Sequence, residues 1–156
     1  ILRYGDLWNF DVSRFRHGLT AGEALSKNLL ENWQTATGTN LHEALGMSEC
    51  STYISTGPAM EIRDGSPGKP QPGRCIAILD VDDADKNQPL APGEIGLLAI
   101  HRSDPGLMLG YWNRPDEDEV VYRGDWFVGG DLARFDEDGY LWYEGRADDE
   151  IGRAHV

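Results

Sequence analysis

The chain has 156 residues, of which 40% are hydrophobic and 26% are charged, and its formal net charge is −13 at pH 7. A chain of this length fits one ordinary domain and can bury roughly 70% of its unfolded surface, which excludes a short peptide hormone or a disulfide knot. Its longest apolar runs, CIAIL and IGLLAI, are far shorter than the roughly 20 residues of a membrane-spanning helix. The sequence therefore predicts a soluble, folded protein with no membrane span.

The acidic charge is concentrated in the second half of the sequence. Residues 1–79 contain 7 basic and 8 acidic side chains, whereas residues 80–156 contain 7 basic and 19 acidic side chains. Nucleic-acid backbones are bound by clusters of Lys and Arg, and the basic residues here are scattered. The charge distribution argues against a nucleic-acid partner and against binding to an anionic membrane surface.

The two cysteines, Cys50 and Cys75, are too few for a disulfide framework and lack Cys-x-x-Cys spacing. We predict that both are reduced, buried side chains, which favours a cytoplasmic location. The first residues, ILRYGDLWNF, lack an initiator Met and the basic and apolar regions of a signal peptide. We therefore expect the chain to be a piece of a longer protein.

One amphipathic helix is predicted between Thr20 and Gly38, where apolar residues recur at near-helical spacing. Ser26 suits the N-cap of this helix, and Gly38 suits its C-terminal stop. Thr20 and Glu23 also match a capping box, which would start the helix one turn earlier. Residues 40–45 then predict a short strand.

From Arg74 onward the pattern is typical of β-strands. The β-rich runs are RCIAILDV, GEIGLLAIH, GLMLGYW, DWFVGGDLARF and GYLWYEGR. A polar loop joins the first two runs, and the pair Asp138-Gly139 is expected to supply the positive-φ positions of a second tight turn. The predicted fold class is α+β, with a helix-strand unit followed by a distorted antiparallel β-sheet or partial barrel. The predicted parts are residues 1–73, 74–147 and 148–156.

Two loops resemble ligand-binding motifs but depart from them at decisive positions. Residues 83–94 place oxygen-bearing side chains at calcium-loop spacing, but Gln88 occupies the position that requires Gly. Residues 65–70 resemble a phosphate-binding loop, but Pro70 replaces the Ser or Thr that would reach Mg²⁺. We interpret the two loops as a solvated hairpin tip and a turn. The four histidines have no metal-ligand spacing, and no Gly-x-Ser-x-Gly motif supports a serine hydrolase.

Four short stretches carry side chains whose chemistry suits a nucleotide: AGEAL at 21–25, LGMSE at 45–49, GGDLARFDEDGY at 129–140 and GRADDE at 145–150. Asp131 can accept hydrogen bonds from both ribose hydroxyls, and Arg146 offers a forked donor. Ser48 offers a hydroxyl to a phosphate, and Glu49 offers a hard oxygen to Mg²⁺. Taken singly, each side chain has an ordinary structural alternative, such as a turn cap, a solvated carboxylate or a surface ion pair.

In this order, the stretches resemble the motifs of the adenylate-forming acyl-CoA synthetases, also called AMP-binding enzymes. LGMSE resembles the family's Tyr-Gly-x-Thr-Glu loop, and PGEIGLLAI through GYWNRPD resembles its Gly-Glu-x-x strand and Gly-Tyr-Trp turn. RGDWFVGGDLARFDEDGYLWYEGRADDEI resembles its ribose-binding stretch running into the hinge. The similarity covers about residues 14–151 and is closest to the medium-chain and aryl-carboxylate ligases.

The resemblance implies a set of residues around adenine. Gly22, Glu23 and Ala24 would form the strand whose backbone flanks the base. Leu45 and Gly46 would belong to the same cofactor-binding region. Leu45 stands where the family has an aromatic residue that stacks on adenine, so it offers apolar contact without π-stacking.

The resemblance also implies residues around the ribose and phosphates. Ser48 would hold the α-phosphate and Glu49 would coordinate Mg²⁺, which makes both candidate catalytic residues. Asp131 would bind the ribose hydroxyls, Arg146 would contact the ribose, and Asp148 would be the hinge. In addition, the family's Thr before Gly-Asp is replaced here by a glycine.

The family reaction has two halves: a carboxylate attacks the α-phosphate of ATP to give acyl-AMP and pyrophosphate, and the thiol of coenzyme A then displaces AMP. The resemblance therefore implies ATP or AMP, Mg²⁺, coenzyme A and a small carboxylic acid as ligands. Because the family's phosphate loop and lid do not match here, we expect a catalytically silent internal fragment whose partners are those missing segments. Exposed apolar surface could also drive self-association. The alternative is a non-catalytic binding or scaffold module built on the same β-rich unit.

Overall fold

The computed structural model describes residues 2, 5, 7–82 and 87–147. A short 3-10 helix, Leu7–Asn9, precedes the first strand. The elements that follow are, in chain order, β1 Gly18–Ala21, α1 Lys27–Thr37, β2 Leu41–Met47, β3 Ser51–Ser55, β4 Lys69–Pro70, β5 Ile76–Leu79, β6 Gly96–His101, α2 Pro115–Val121, β7 Tyr122–Arg123, β8 Trp126–Phe135 and β9 Leu141–Arg146.

The first four strands form one sheet in the order β1-β2-β3-β4. β1 runs parallel to β2, whereas the β2–β3 and β3–β4 pairs are antiparallel. The helix α1 connects the two parallel strands, as such a crossover requires. The strand predicted at residues 40–45 is confirmed as β2, which continues as far as Met47.

The later strands form a second, antiparallel sheet in the order β5-β6-β8-β7. β8 has 10 residues and pairs with β7 near its start and with β9 near its end. The predicted hairpin of the first two β-rich runs is confirmed as β5 and β6. The curled antiparallel sheet and the mixed helix and strand content confirm the α+β class with a partial barrel.

The two sheets share one apolar core. Its largest cluster contains nine buried residues from both sheets: Cys50, Tyr53, Ile54, Ile78, Leu98, Ile100, Phe127, Ala133 and Leu141. An isolated bridge between Gly68 and Leu141 joins the sheets directly. The packing of these strands therefore holds β2 and β3 beside β8 and β9.

The caps predicted for α1 are confirmed. The Ser26 hydroxyl accepts a hydrogen bond from the Leu29 N–H, and Gly38 ends the helix in the left-handed conformation at φ 70°. The alternative start at a Thr20–Glu23 capping box is wrong, because Thr20 lies in β1, where it pairs with Glu43 of β2. The backbone at Thr20 is therefore extended and paired with β2, so it cannot form the N-terminus of a helix.

The run GLMLGYW is not a strand, contrary to its predicted β character. Residues 106–112 form irregular turns in which Leu109 is fully exposed. The helix α2 follows this segment and was not predicted, although Pro115 at its start and three acidic residues in its first turn are typical of a helix N-terminus. At seven residues, α2 is too short to show clear apolar periodicity.

Two local predictions were partly wrong. Cys50 is buried as predicted, and burial together with the nearby Asp104 raises the pKa of its thiol to about 11. Cys75, in contrast, is exposed, because it precedes β5 at the edge of the sheet. In the turn between β8 and β9, the positive φ of 81° is at Gly139, and Asp138 keeps a negative φ.

Some predictions fall outside the part of the chain that the structure describes. These include the hinge residue Asp148 and the first acidic positions of the calcium-like loop, residues 83–86. The division into residues 1–73, 74–147 and 148–156 stays a prediction. Across residues 7–82 and 87–147, no helix is long and apolar enough to cross a membrane.

A buried ion pair joins the start of β5 to the segment after β6. The Arg74 Nη1 donates to Asp104 Oδ1 at 2.7 Å, and the Asp104 side chain is fully buried. The backbone N–H groups of Cys75 and Gly106 also donate to this carboxylate. Burial opposes ionisation of Asp104, but these N–H donors and the guanidinium outweigh it and hold its pKa below 3.8.

We expect Asp104→Asn to lower the free energy of unfolding at pH 7 by about 3 kcal/mol, because it leaves the mostly buried Arg74 without a counter-charge. A carboxyl whose pKa is lowered by folding stabilises the fold above its unfolded pKa, and this stabilisation is lost as pH falls through the folded-state pKa. The difference between the two proteins should therefore shrink below about pH 4. Urea denaturation at several pH values measures both effects.

Asp116→Asn is the matched control, because Asp116 forms an exposed ion pair with Arg114. An exposed pair contributes about 0–1 kcal/mol, so this variant should unfold nearly as the wild type does. Equal stability of the two asparagine variants at pH 7 would contradict the structural role given to Asp104.

Candidate functional site

Two adjoining cavities lie between the sheets. The first, which we call the Leu45 cavity, has a volume of about 350 Å³ and is lined by Gly22, Glu23, Ala24, Glu43, Ala44, Leu45, Gly46, Gly65, Pro67, Asp131 and Tyr143. The second, which we call the Glu49 cavity, has a volume of about 280 Å³ and is lined by Met47, Glu49, Tyr111, Val121, Phe127, Gly129, Asp131 and Arg146. Asp131 lines both cavities, so its carboxylate stands where they meet.

The pairing of β8 with β9 sets Asp131 directly opposite Arg146. The Arg146 Nη1 donates to Asp131 Oδ1 at 3.3 Å and to the Gly129 carbonyl at 2.7 Å. At Gly130, with φ 82°, a Cβ would lie 3.1 Å from Arg146 Nη2. The absence of a side chain at this position therefore leaves room for the guanidinium beside the strand.

A β-bulge shapes the end of β2 that faces the cavities. The register of the β2–β3 pair shifts between Leu45 and Gly46. A Cβ at Gly46 would lie 2.5 Å from the Ser51 carbonyl oxygen and 2.9 Å from Thr52 Cα. Glycine is thus required at this position, because backbone atoms of β3 occupy the space of a side chain. The bulge leaves Leu45 half-buried on the cavity wall.

Gly22, Glu23 and Ala24 line the Leu45 cavity, but they follow β1 and do not form a strand, which corrects the prediction. Gly22 has φ 103°, and this conformation ends the extended backbone of β1. The Leu25 N–H then donates to Glu43 Oε2 at 3.1 Å and ties the turn to β2. Burial raises the pKa of Glu43 against the effect of this hydrogen bond.

Ser48 and Glu49 lie in the tight turn between β2 and β3. Glu49 is half-buried, and its Oε1 accepts a hydrogen bond from the Tyr111 hydroxyl at 2.7 Å. Burial and this hydrogen bond raise the pKa of Tyr111 to about 12. Ser48 is exposed and lines neither of the two cavities, so the predicted convergence holds for Glu49, Asp131 and Arg146 but not for Ser48.

Sequence analysis missed two aromatic residues of the site. Tyr143 lines the Leu45 cavity, and its hydroxyl donates to Asp131 Oδ1 at 3.2 Å. Tyr111 lines the Glu49 cavity. Both residues lie in stretches that the sequence singled out, GYW and GYLWYEGR. Their place at the site depends on strand register and loop path, which no sequence pattern supplied.

A third tyrosine lies beneath the site. Tyr53 is fully buried, and across the part of the chain that the structure describes its hydroxyl has no hydrogen-bond partner. Burial raises the pKa of this phenol strongly, and the negative charge of Asp131 raises it further. Tyr53 therefore stays neutral and contributes a polar but uncharged group to the core below the two carboxylates.

The arrangement can bind a ligand that has an apolar, a polyhydroxyl and an anionic part. The Leu45 cavity offers backbone and apolar surface, Asp131 with Arg146 offers a carboxylate and a forked donor, and the Glu49 cavity offers a carboxylate oxygen. Among the described residues, no group of three or more His, Cys, Asp or Glu side chains could hold a metal ion. The carboxylates of Asp131 and Glu49 suit Mg²⁺, which proteins commonly bind through one or two carboxylates and the phosphates of a substrate.

Comparison with known families identifies the chain. A model of the family described as AMP-binding enzyme matches residues 2–112. This chain belongs to the AMP-binding enzyme family. The 3-hydroxybenzoate–CoA ligase of Aromatoleum sp. (strain CIB) is 38% identical to this chain over 136 residues, which are 87% of this chain and 25% of that protein. The mitochondrial acyl-coenzyme A synthetase ACSM5 of Homo sapiens is 37% identical over 153 residues, which are 96% of this chain and 26% of that protein.

A solved structure has the same fold. The anthranilate CoA ligase AuaEII, in its complex with anthranoyl-AMP, superposes on this chain with a TM-score of 0.77 and 33% sequence identity. The match covers 95% of this chain and 28% of the ligase. The chain thus spans about a quarter of the length of the curated relatives it matches.

We expect Gly46→Ala to destabilise this chain by about 1–3 kcal/mol, because the added methyl must displace the β3 backbone. Gly57→Ala is the matched control, since a Cβ at Gly57 meets nothing within 4 Å. Chemical denaturation measures the loss, and amide chemical shifts should move along β2 and β3 in the first variant alone. Unchanged stability of Gly46→Ala would mean that the bulge does not depend on glycine.

Proposed function

We propose that this chain binds the adenylate part of ATP, AMP and acyl-AMP in an acyl-CoA synthetase. The observation that carries the proposal is the position of Asp131 at the junction of the Leu45 cavity and the Glu49 cavity. In AMP the ribose lies between the base and the phosphate. In this chain Asp131 lies between the apolar wall of the Leu45 cavity and Glu49, so the two orders match. The combined site also falls in the size range of small-molecule pockets, about 300–1,000 Å³.

The adenine base would occupy the Leu45 cavity. The backbone of Gly22, Glu23 and Ala24 forms one side of this cavity, and Leu45 with Gly46 forms another. Leu45 provides apolar contact, whereas the ring of Tyr143 supplies the aromatic surface that Leu45 lacks. Base–aromatic contacts contribute about 1 kcal/mol or more per base, so one tyrosine can compensate for the leucine.

The ribose would lie against Asp131. Its carboxylate oxygens can accept hydrogen bonds from both ribose hydroxyls. The Arg146 Nη1 holds Asp131 Oδ1 from the neighbouring strand and stays close enough to contact the sugar. The side chain of Asp131 is 16% exposed, so the ligand would meet a carboxylate that is already oriented and largely shielded from water.

The phosphates would reach the Glu49 cavity. Glu49 would hold Mg²⁺, and Ser48, in the adjacent exposed turn, would donate its hydroxyl to the α-phosphate. When bound, the cation would neutralise phosphate charge and so reduce the repulsion between a nucleotide and this acidic chain. Nucleotide binding should therefore be weaker when Mg²⁺ is removed.

In the proposed reaction, a carboxylic acid attacks the α-phosphate of ATP, pyrophosphate leaves, and the thiol of coenzyme A then displaces AMP from the acyl-adenylate. The names of the relatives, a 3-hydroxybenzoate–CoA ligase and an acyl-coenzyme A synthetase among them, support this ligase reaction for the longer protein. A cytoplasmic location, catalytic silence of the 156 residues alone and self-association through exposed apolar side chains such as Leu109 and Trp112 stay predictions.

We expect Asp131→Asn to weaken AMP binding about tenfold, because the amide replaces a charged acceptor of two ribose hydroxyls. Isothermal titration calorimetry of the chain with AMP measures the change. Asp125→Asn, at an exposed position in the turn before β8, should bind AMP as the wild type does. Equal affinities of Asp131→Asn and the wild type would refute the ribose assignment.

We expect Tyr143→Leu to weaken AMP binding about fivefold, since an aliphatic side chain removes the aromatic face while keeping apolar contact. Tyr143→Phe keeps the ring and removes the hydroxyl that donates to Asp131, so its affinity should stay closer to that of the wild type. Calorimetric titration of both variants with AMP separates the contribution of the Tyr143 ring to affinity from that of its hydroxyl. A larger loss in the phenylalanine variant would show that the hydroxyl, and not the ring, contributes to binding.

A further inference from the structure

Glu49 receives two hydrogen bonds from one segment of the chain, residues 104–118, which connects β6 to α2 and its first turn. The Tyr111 hydroxyl donates to Glu49 Oε1 at 2.7 Å, and the Met108 N–H donates to the Glu49 carbonyl at 2.7 Å. The carboxylate and the phenol are 62 positions apart in the sequence. Both side chains line the Glu49 cavity, so their contact lies at the proposed site and not in the apolar core.

The segment that carries Tyr111 is itself fixed at both ends. At its start, the Gly106 N–H donates to the buried Asp104 carboxylate at 2.8 Å. At its end, the Tyr111 N–H donates to Asp118 Oδ1 of α2 at 3.0 Å. Gly110 allows this approach, because a Cβ there would lie 2.7 Å from Asp118 Oδ2. The backbone that carries the phenol is therefore anchored by contacts that do not involve the Glu49 carboxylate.

A glutamate in a turn has several rotatable bonds, so fixing its side chain costs conformational entropy. In this chain the phenol holds one carboxylate oxygen before any ligand arrives. The remaining lone pairs of the carboxylate are then presented in one direction. Partners of this kind, which touch a metal ligand and not the metal, commonly set metal affinity.

We propose that Tyr111 is a positioning residue whose hydroxyl holds Glu49 so that its carboxylate faces a divalent cation bound to nucleotide phosphates. This inference rests on the proposed function, because it needs a nucleotide and Mg²⁺ at the Glu49 cavity. Tyr111 is not a catalytic residue in this proposal, since it acts through Glu49. Its effect should therefore appear in the contribution of Mg²⁺ to nucleotide affinity, with no effect on nucleotide affinity in the absence of the cation.

The test compares the affinity of the chain for ATP with excess Mg²⁺ and with EDTA, measured by calorimetry. The ratio of the two affinities is the magnesium gain. Tyr111→Phe should lower the magnesium gain about tenfold and leave the affinity in EDTA unchanged. Tyr140→Phe is the matched control, because its hydroxyl donates to the Glu61 carbonyl outside the two cavities, and it should keep the full gain.

Gly110→Ala supplies a second variant, which keeps the Tyr111 hydroxyl but moves its anchor on Asp118. It should also lower the magnesium gain. Amide spectra of Tyr111→Phe and Gly110→Ala show which of the two variants is folded. The magnesium gain measured for a folded variant decides the outcome. A full magnesium gain in that variant would overturn the proposal. An equal loss of affinity with Mg²⁺ and with EDTA would also overturn it, because that result indicates a purely structural role.

Glu49→Gln separates this inference from the proposed function. Loss of the magnesium gain in Glu49→Gln, together with a full gain in Tyr111→Phe, would reject the positioning role and keep the metal assignment. A full gain in Glu49→Gln would reject the metal assignment and the positioning role with it. Failure of the wild-type chain to bind AMP or ATP under either condition would reject the proposed function itself.

Discussion

The site depends on the joint between the two sheets at Gly68. A Cβ on this residue would lie 2.3 Å from the backbone of Ser55, so no other residue fits there without moving β3. The Leu141 N–H donates to the Gly68 carbonyl, and the Ser66 hydroxyl donates to the Leu141 carbonyl at 2.6 Å. Because Leu141 begins β9, this joint sets the distance between β2 and the β8–β9 pair. Both cavities are lined by residues of β2 and of the β8–β9 pair, so their size depends on the distance between these strands.

The second constraint is the placement of negative charge in an already acidic chain. Asp131 and Glu49 line the same cavity, and each is held differently: Asp131 by the Arg146 guanidinium and Glu49 by the neutral Tyr111 hydroxyl. Asp131 is therefore paired with a cation, whereas the Glu49 carboxylate is held by a neutral hydroxyl. A carboxylate that is oriented but not neutralised is suited to a cation, and a carboxylate that is paired is suited to neutral hydroxyl groups.

Predictions from local sequence were confirmed where the structure of a stretch depends on residues within that stretch. The caps at Ser26 and Gly38 depend on bonds within a few residues, and the β5–β6 hairpin depends on alternating apolar residues on either side of a polar loop. The prediction from local sequence was wrong for residues 106–112, whose apolar side chains are typical of a strand. There the backbone bonds to the side chains of Asp104 and Asp118 and to the distant carbonyl of Glu49, and these partners replace the strand ladder.

By itself, the sequence determined the α+β class, the motif residues and the chemistry they offer, because residue type and local spacing are enough for these. It also predicted that Asp131 and Arg146 lie together, and the structure pairs them across β8 and β9. Only the tertiary structure decided that Ser48 is exposed and lines neither cavity, and that Tyr111 and Tyr143 line them. The physical reason is that the path of the 104–118 segment depends on Glu49, which is far from it in the chain. The bulge at Gly46 depends on how β2 pairs with β3, and no pattern of residue types encodes either contact.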